Sequence, residues 1–165
     1  MIDGSPAARL GVAIATSPLG TGLRESVWLY PTVETLHILG FALLFGSILV
    51  VDLRLLGFRI NVNLGPLVRF VLPITLLSLL LVVPTGLLLF MAHATDLVGN
   101  RAFIVKMVLL FAAAINALMF HAGPYRVETE APPGGSPRGS TRLFAALSMV
   151  IWVSVIVAGR WIAYV

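Results

Sequence analysis

The residues of this chain best suited to chemistry are its histidines. His37 and His93 lie within, or at the end of, long apolar stretches that carry almost no other ionisable group. A neutral imidazole offers a lone pair to iron, copper or zinc. Ionisable groups at membrane depth are costly and are usually retained for function. Two imidazoles at one level on two different helices are what a transmembrane haem, or a metal ion, requires. The third histidine, His121, falls at the opposite end of its stretch and is the weaker metal ligand. There are no cysteines, which excludes thiolate metal sites, Fe–S clusters and haem attached through Cys-x-x-Cys-His. No paired carboxylates, nucleophile–base set or phosphate loop is in view, so neither hydrolase nor transferase chemistry is expected.

The elements that must position these residues follow from composition. Of 165 residues, 59% are hydrophobic and 11% charged, whereas a soluble domain is roughly half apolar and about a quarter charged. Mean hydropathy is +1.02. The chain therefore reads as one all-α, integral membrane four-helix bundle. The spans run roughly over 31–51, 67–92, 102–120 and 143–164, each near the ~20 residues needed to cross the hydrocarbon. Trp28 and Tyr30 precede the first, as interfacial aromatics do. Pro73 and Pro84 lie inside the second, where Pro84 is expected to kink the helix. Residues 5–26 mix apolar, small and polar types without the basic start of a signal peptide; an interfacial helix or loop is expected. Residues 122–142, rich in proline and glycine, read as a flexible loop.

The net charge of +4 does not point to nucleic acid, because the Lys and Arg residues are scattered through short loops, where they set topology or meet lipid headgroups. Arg54, Arg59, Arg126, Arg138 and Arg142 follow spans one and three; Arg9, Arg24 and Arg101 lie opposite. The positive-inside rule then puts both termini outside, in the periplasm of a bacterial inner membrane.

With the spans alternating, Glu34, His37, His93, Asp96, Lys106 and Arg160 gather in the outer half of the bundle. Glu34 and His37 share one helical face, as do Gly86 and His93. Gly40 and Gly86 would either leave room for a flat macrocycle or allow close helix packing. In a haem reading, His37 and His93 are the axial ligands, Glu34 or a backbone carbonyl fixes the His37 tautomer, and Lys106, Arg160 and Arg101 meet the propionates. Plainer roles compete with each: His37 as a hydrogen-bonded packing residue, His93 and His121 as interfacial polar residues, Lys106 snorkelling, Arg160 as an anchor beside Trp161 and Tyr164, Asn116 as an interhelical hydrogen bond.

The stretch from Arg24-Glu25-Ser26 through Trp28, Tyr30-Pro31, Glu34, His37 and Gly40, continuing to Asp52-Leu53-Arg54-Leu55-Leu56-Gly57, resembles an uncharacterised family of small bacterial four-helix membrane proteins. The likeness resumes at Pro84-Thr85-Gly86, His93, Lys106, Asn116, His121 and Ala158-Gly159-Arg160. More distantly, a bundle with a histidine early in span one and another late in span two is similar to membrane b-type cytochromes and to copper-resistance CopD-like proteins. That architecture implies one haem b near the outer face, in an electron-transfer subunit working between a membrane quinone and an outer redox partner or other membrane subunits. The alternatives are a membrane protein handling copper or zinc through His37, His93, Glu34 and Asp96, and a structural subunit of a larger membrane complex.

Overall fold

A computed structural model describes residues 6–59, 61–130 and 134–165, and no strand occurs among them. Four helices are long and apolar enough to cross a membrane, which makes this a multi-pass, lipid-embedded, all-helical protein. The order is α1 (Pro6–Ala15), α2 (Pro18–Glu25), α3 (Leu29–Leu56), α4 (Leu64–Ala92), α5 (Ala94–Leu97), α6 (Arg101–Ala122), α7 (Pro124–Glu130) and α8 (Gly139–Trp161). The long helices α3, α4, α6 and α8 are the expected spans, lengthened at several ends. At 28 residues, α3 is about 42 Å long, enough to cross a hydrocarbon core of about 30 Å with a tilt.

Helix ends follow local chemistry. Gly57 closes α3 at φ 106°, a left-handed conformation that costs glycine little. Its N–H donates to the Arg54 carbonyl and that of Phe58 to the Leu53 carbonyl. Asn100 opens α6 by accepting from the Phe103 N–H at 3.0 Å. Its amide also donates to the carbonyls of Ile162 and Val165, tying the end of the chain to the start of α6. Pro73 and Pro84 both lie inside α4, which continues through them.

The bundle is two hairpins, α3–α4 and α6–α8, joined where α3 packs on α8. The α3–α4 pair is zipped along its length. Tyr30 meets His93 edge-to-face at 5.1 Å, His37 bonds Thr85 at 3.0 Å, and Ser47 bonds Thr75 at 2.8 Å. Leu55 closes the seam against Leu64 and Val68. At Gly40 a Cβ would come within 2.9 Å of Val82 Cγ2 and 3.1 Å of Leu81 Cδ2, so glycine is what lets these two helices approach. By contrast, α4 and α6 do not pack backbone to backbone as the other neighbouring pairs do.

The N-terminal stretch takes one of its two expected forms, and the stretch after span three departs from expectation. The N-terminal segment forms α1 and α2, which fold over the α4–α5 end of the bundle. Gly11 packs on the Ala94 carbonyl, Gly20 on that of Met91, and Arg24 donates to the Ala92 carbonyl at 3.2 Å. The stretch 122–142 is not all loop: it contains α7. Pro124 starts that helix with a pre-set φ, and Tyr125 stacks on His121 at 4.8 Å. Glu128 accepts from the Arg138 N–H at 3.1 Å and the Thr141 hydroxyl at 2.8 Å. One carboxylate thereby fastens α7 to the first turn of α8, where an acceptor offsets unpaired helix donors. Residues 131–133 of the expected loop lie outside the described residues.

Candidate functional site: the bundle cavity

The failure of α4 and α6 to close on each other leaves a cavity of about 1350 Å³ along the bundle axis. Its wall is mainly apolar, but it includes all three histidines together with Glu34, Lys106 and Arg160. The sequence-predicted polar residues therefore do meet one interior space. His121 belongs to it too, from the far end.

His37 is the most constrained of them. Helix α3 carries it, half-buried, against α4. The Thr85 hydroxyl lies 2.6 Å from the Leu81 carbonyl and donates its single proton there. The same oxygen, 3.0 Å from His37 Nδ1, must then accept, which assigns the imidazole proton to Nδ1 and leaves a lone pair on Nε2. An imidazole held through one nitrogen so that the other is free is the arrangement that orients metal-bound histidines. Glu34, one of the two acceptors expected to fix this tautomer, is exposed; the other, a backbone carbonyl, is supplied by Val82, beside the Thr85 hydroxyl. Glycine at 86 makes room for the ring, since a Cβ there would stand 3.0 Å from His37 Cε1.

His93 sits elsewhere. It caps α4 beneath the ring of Tyr30, whereas His37 lies level with Thr85 and Gly86. Seven residues separate Gly86 from His93, about 10 Å of helix rise. The expected coincidence of level is thus replaced by a stagger of two turns. Nor do the two rings face each other across a slot between α3 and α4, because those helices are packed together at His37. Gly40 requires a correction as well. It faces Leu81 and Val82 on α4, so it serves helix packing and is not a cofactor contact.

Lys106 lines the cavity from α6 with its Nζ 3.6 Å from where a Gly159 Cβ would stand. Its chain lies along α8, where a glycine accommodates it. Arg160 lines the mouth and is exposed. It donates to the Tyr164 hydroxyl at 2.7 Å and lies 5.1 Å from that ring's centre, the expected anchor arrangement, here with a cation–π contact. Among the described residues no three His, Asp or Glu side chains converge as an ion's shell, so the expected copper or zinc site from His37, His93, Glu34 and Asp96 does not assemble.

In the far half, one residue departs from its expected place and one keeps it. Asp52, taken as the polar end of span one, is buried at 6% exposure within α3. Asn116 does form the expected interhelical bond, its amide donating to the Phe144 carbonyl of α8 at 3.2 Å. Its Oδ1, however, is buried without a partner, as is Asp52 Oδ2. Both residues line the cavity.

The chain belongs to a family of unknown function, DUF6644, which matches residues 15–165. No curated protein and no solved structure matches it.

Proposed function

We propose that this protein is a membrane electron-transfer subunit of the b-type cytochrome kind, holding one haem b in the bundle cavity with His37 as its principal axial ligand. The observation that supports the reading is the Thr85–His37 pair: a hydroxyl committed to the Leu81 carbonyl is placed to accept from Nδ1–H, and His37 lines a large, mainly apolar cavity. The volume suits a macrocycle, and the mostly apolar wall suits its faces. A bound haem supplies a one-electron carrier whose potential depends on its axial ligands and on the dielectric around it.

The chain's own residues divide the work. Thr85 sets the His37 tautomer and Gly86 admits the ring. Lys106 and Arg160 offer cationic donors for carboxylates at the mouth. His93, two turns nearer the α4 end, would be the second residue to hold the group. Helices α1 and α2 cover the α4–α5 end and shield it from water. The site lies nearer one end of the bundle, so carrying electrons across the remaining hydrocarbon would need a partner subunit, a second centre or a membrane quinone. On the positive-inside argument this end faces the periplasm of a bacterial inner membrane.

Visible spectra of the oxidised and reduced protein, purified in detergent after expression with haem supply, test the reading. The expected result is a six-coordinate b-type spectrum, with haem per chain reduced more than tenfold in His37→Ala and unchanged in His121→Ala. A colourless wild-type protein, or haem retained by His37→Ala, overturns it. A second axial ligand at His93 predicts a change from six- to five-coordinate spectrum in His93→Ala with haem still bound.

A further inference from the structure

Lys106 is a cation without a counterion on the wall of a mainly apolar interior. It lies on α6, one turn inward of Phe103. Its Nζ, Cε and Cδ run 3.6, 3.7 and 3.8 Å from where a Gly159 Cβ would stand on α8. Among the described residues neither a hydrogen bond nor an ion pair engages it. Glu34 and Asp96, the acids that line the same end of the cavity, are exposed, and neither reaches it. Nor is the ammonium sealed off. Among the described residues the buried, unpartnered side-chain polar atoms are Asp52 Oδ2 and Asn116 Oδ1 alone. Lys106 Nζ therefore keeps accessible surface, and its side chain lines the cavity. Arg160, next to Gly159, already holds Tyr164 and adds a second positive charge at the mouth. A charge drawn out of water is costly unless it is paired, and here the protein supplies no partner.

The face of α6 inward of Lys106 suits an apolar chain. Phe103, Lys106, Leu110, Ala114, Ala117 and His121 follow one another at spacings of three and four, and all line the cavity, so they form one stripe of the helix. Ala114 and Ala117 leave the width that larger side chains would fill. The inner end is stopped by Phe120, packed with Leu55, Leu64 and Val68. From Lys106 to Phe120 the helix rises about 21 Å, enough for the ~15 Å, half of the hydrocarbon core, that one leaflet's tail spans. The cavity is also open to the side. Leu79, Val83 and Leu87 of α4 and Met107 of α6 line it and are exposed on the surface. They flank the gap where α4 and α6 do not pack. Phe90 stacked on Phe103 at 5.5 Å closes that gap at the His93 end, and α7 packs on α4 at the other. What remains between them is a lateral mouth at the depth of lipid chains.

We infer that the cavity binds a long-chain fatty acid, which enters between α4 and α6, sets its carboxylate on the Lys106 ammonium and lays its tail along Leu110, Ala114 and Ala117 toward Phe120. The chemistry narrows the ligand. An unpaired ammonium calls for an anion, and a carboxylate accepts from it in a charge-assisted bond. An apolar channel that begins at that cation calls for an apolar tail on the same molecule, which a soluble anion lacks. The Phe90–Phe103 contact lies one turn above Lys106, so the head seated beneath it must be compact. A carboxylate brings two oxygens there, whereas a phospholipid brings a glycerol and a second chain. The inference does not rest on the electron-transfer reading. It shares the cavity with it, and Arg160 at the mouth remains for a haem carboxylate.

Photolabelling tests it, with the full chain in phosphatidylcholine nanodiscs. The probes are octadecanoic acid carrying a mid-chain diazirine, the matching octadecanol, and a phosphatidylglycerol bearing the same chain, each at one low mole fraction. Labelled residues are mapped by mass spectrometry. The acid is expected to label Ala114, Ala117 and their neighbours on the cavity wall about tenfold more than the alcohol does. Val108 and Phe111, exposed and outside the cavity lining, should take both alike. Lys106→Met, checked for helicity and monodispersity, is expected to bring acid and alcohol within about threefold on the cavity wall, and Lys106→Arg to keep the preference. Equal labelling of the cavity wall in the wild-type protein, or a folded Lys106→Met that keeps the full preference, overturns the inference. So does phosphatidylglycerol that labels the wall as strongly as the acid, since the head recognised is then a phospholipid's. The wild-type contrast decides alone if the variants do not fold. A colourless protein that prefers the acid overturns the haem reading and leaves this one. A haem-loaded protein without the preference does the reverse.

Discussion

The two halves of the cavity treat their polar atoms in opposite ways. At the His37 end, Thr85 and Leu81 fix the imidazole before any ligand arrives, and Gly86 gives the ring its seat. At the Asp52–Asn116 end, two acceptors of comparable burial are left without partners. The first half is preorganised, so little ordering remains to be done on binding. The second is held by packing around buried polar atoms rather than by a built set of hydrogen bonds.

The contrast can be broken most forcefully at the glycines. Gly86→Ala places a methyl 3.0 Å from His37 Cε1 and should displace the imidazole. Haem content per chain is expected to fall about tenfold. Gly40→Ala meets Val82 and Leu81 instead. Overpacking of this kind costs about 1–3 kcal/mol, so it should lower the thermal midpoint followed by circular dichroism and leave the haem content of the surviving folded protein near wild type. If Gly40→Ala empties the site while Gly86→Ala spares it, the two glycines have been assigned the wrong way round.

A finer cut separates holding His37 from having it. Thr85→Val keeps the shape but removes the acceptor for Nδ1–H. Loss of such an outer partner typically weakens metal binding by 10- to 100-fold, so haem affinity, measured by transfer to apomyoglobin, should fall about tenfold with the chain still folded. Unchanged affinity would mean that Thr85 does not set the tautomer. The smallest effect is expected outside the cavity. Glu128→Ala unfastens α7 from α8 and should cost about 1 kcal/mol, the usual worth of a helix-start acceptor, with haem content unaltered.

Much of the framework was legible because hydropathy and length are one-dimensional. Four long apolar runs with few charges have one solution in a bilayer, and the spans were found to within a few residues at most ends. Depth and rotation were less legible. His93 reads as level with His37 if the spans are drawn from 31 and to 92, but the pairing of Tyr30 with His93 and of His37 with Thr85 staggers them. That pairing is set by side-chain packing between α3 and α4, which neither helix specifies alone. Thr85 stood in plain view between Pro84 and Gly86, yet only the rotation of α4 about its axis turns its hydroxyl to His37. Asp52 looked like the polar end of a span because α3 was expected to stop at 51. The helix continues to Leu56 and folds the carboxyl into the interior. Helix α7 was hidden by a proline- and glycine-rich surrounding, and the carboxylate that fastens it to α8 comes from ten residues upstream of Arg138.

The gap between α4 and α6 changes what an empty protein means. An interior continuous with the acyl chains is filled by whatever the surrounding amphiphiles supply, whether lipid tail or detergent. The guest is then part of the fold's cohesion: an isolated preparation should soften or stiffen with the tail length of the surfactant around it, as a lock does with the blank left in its keyway.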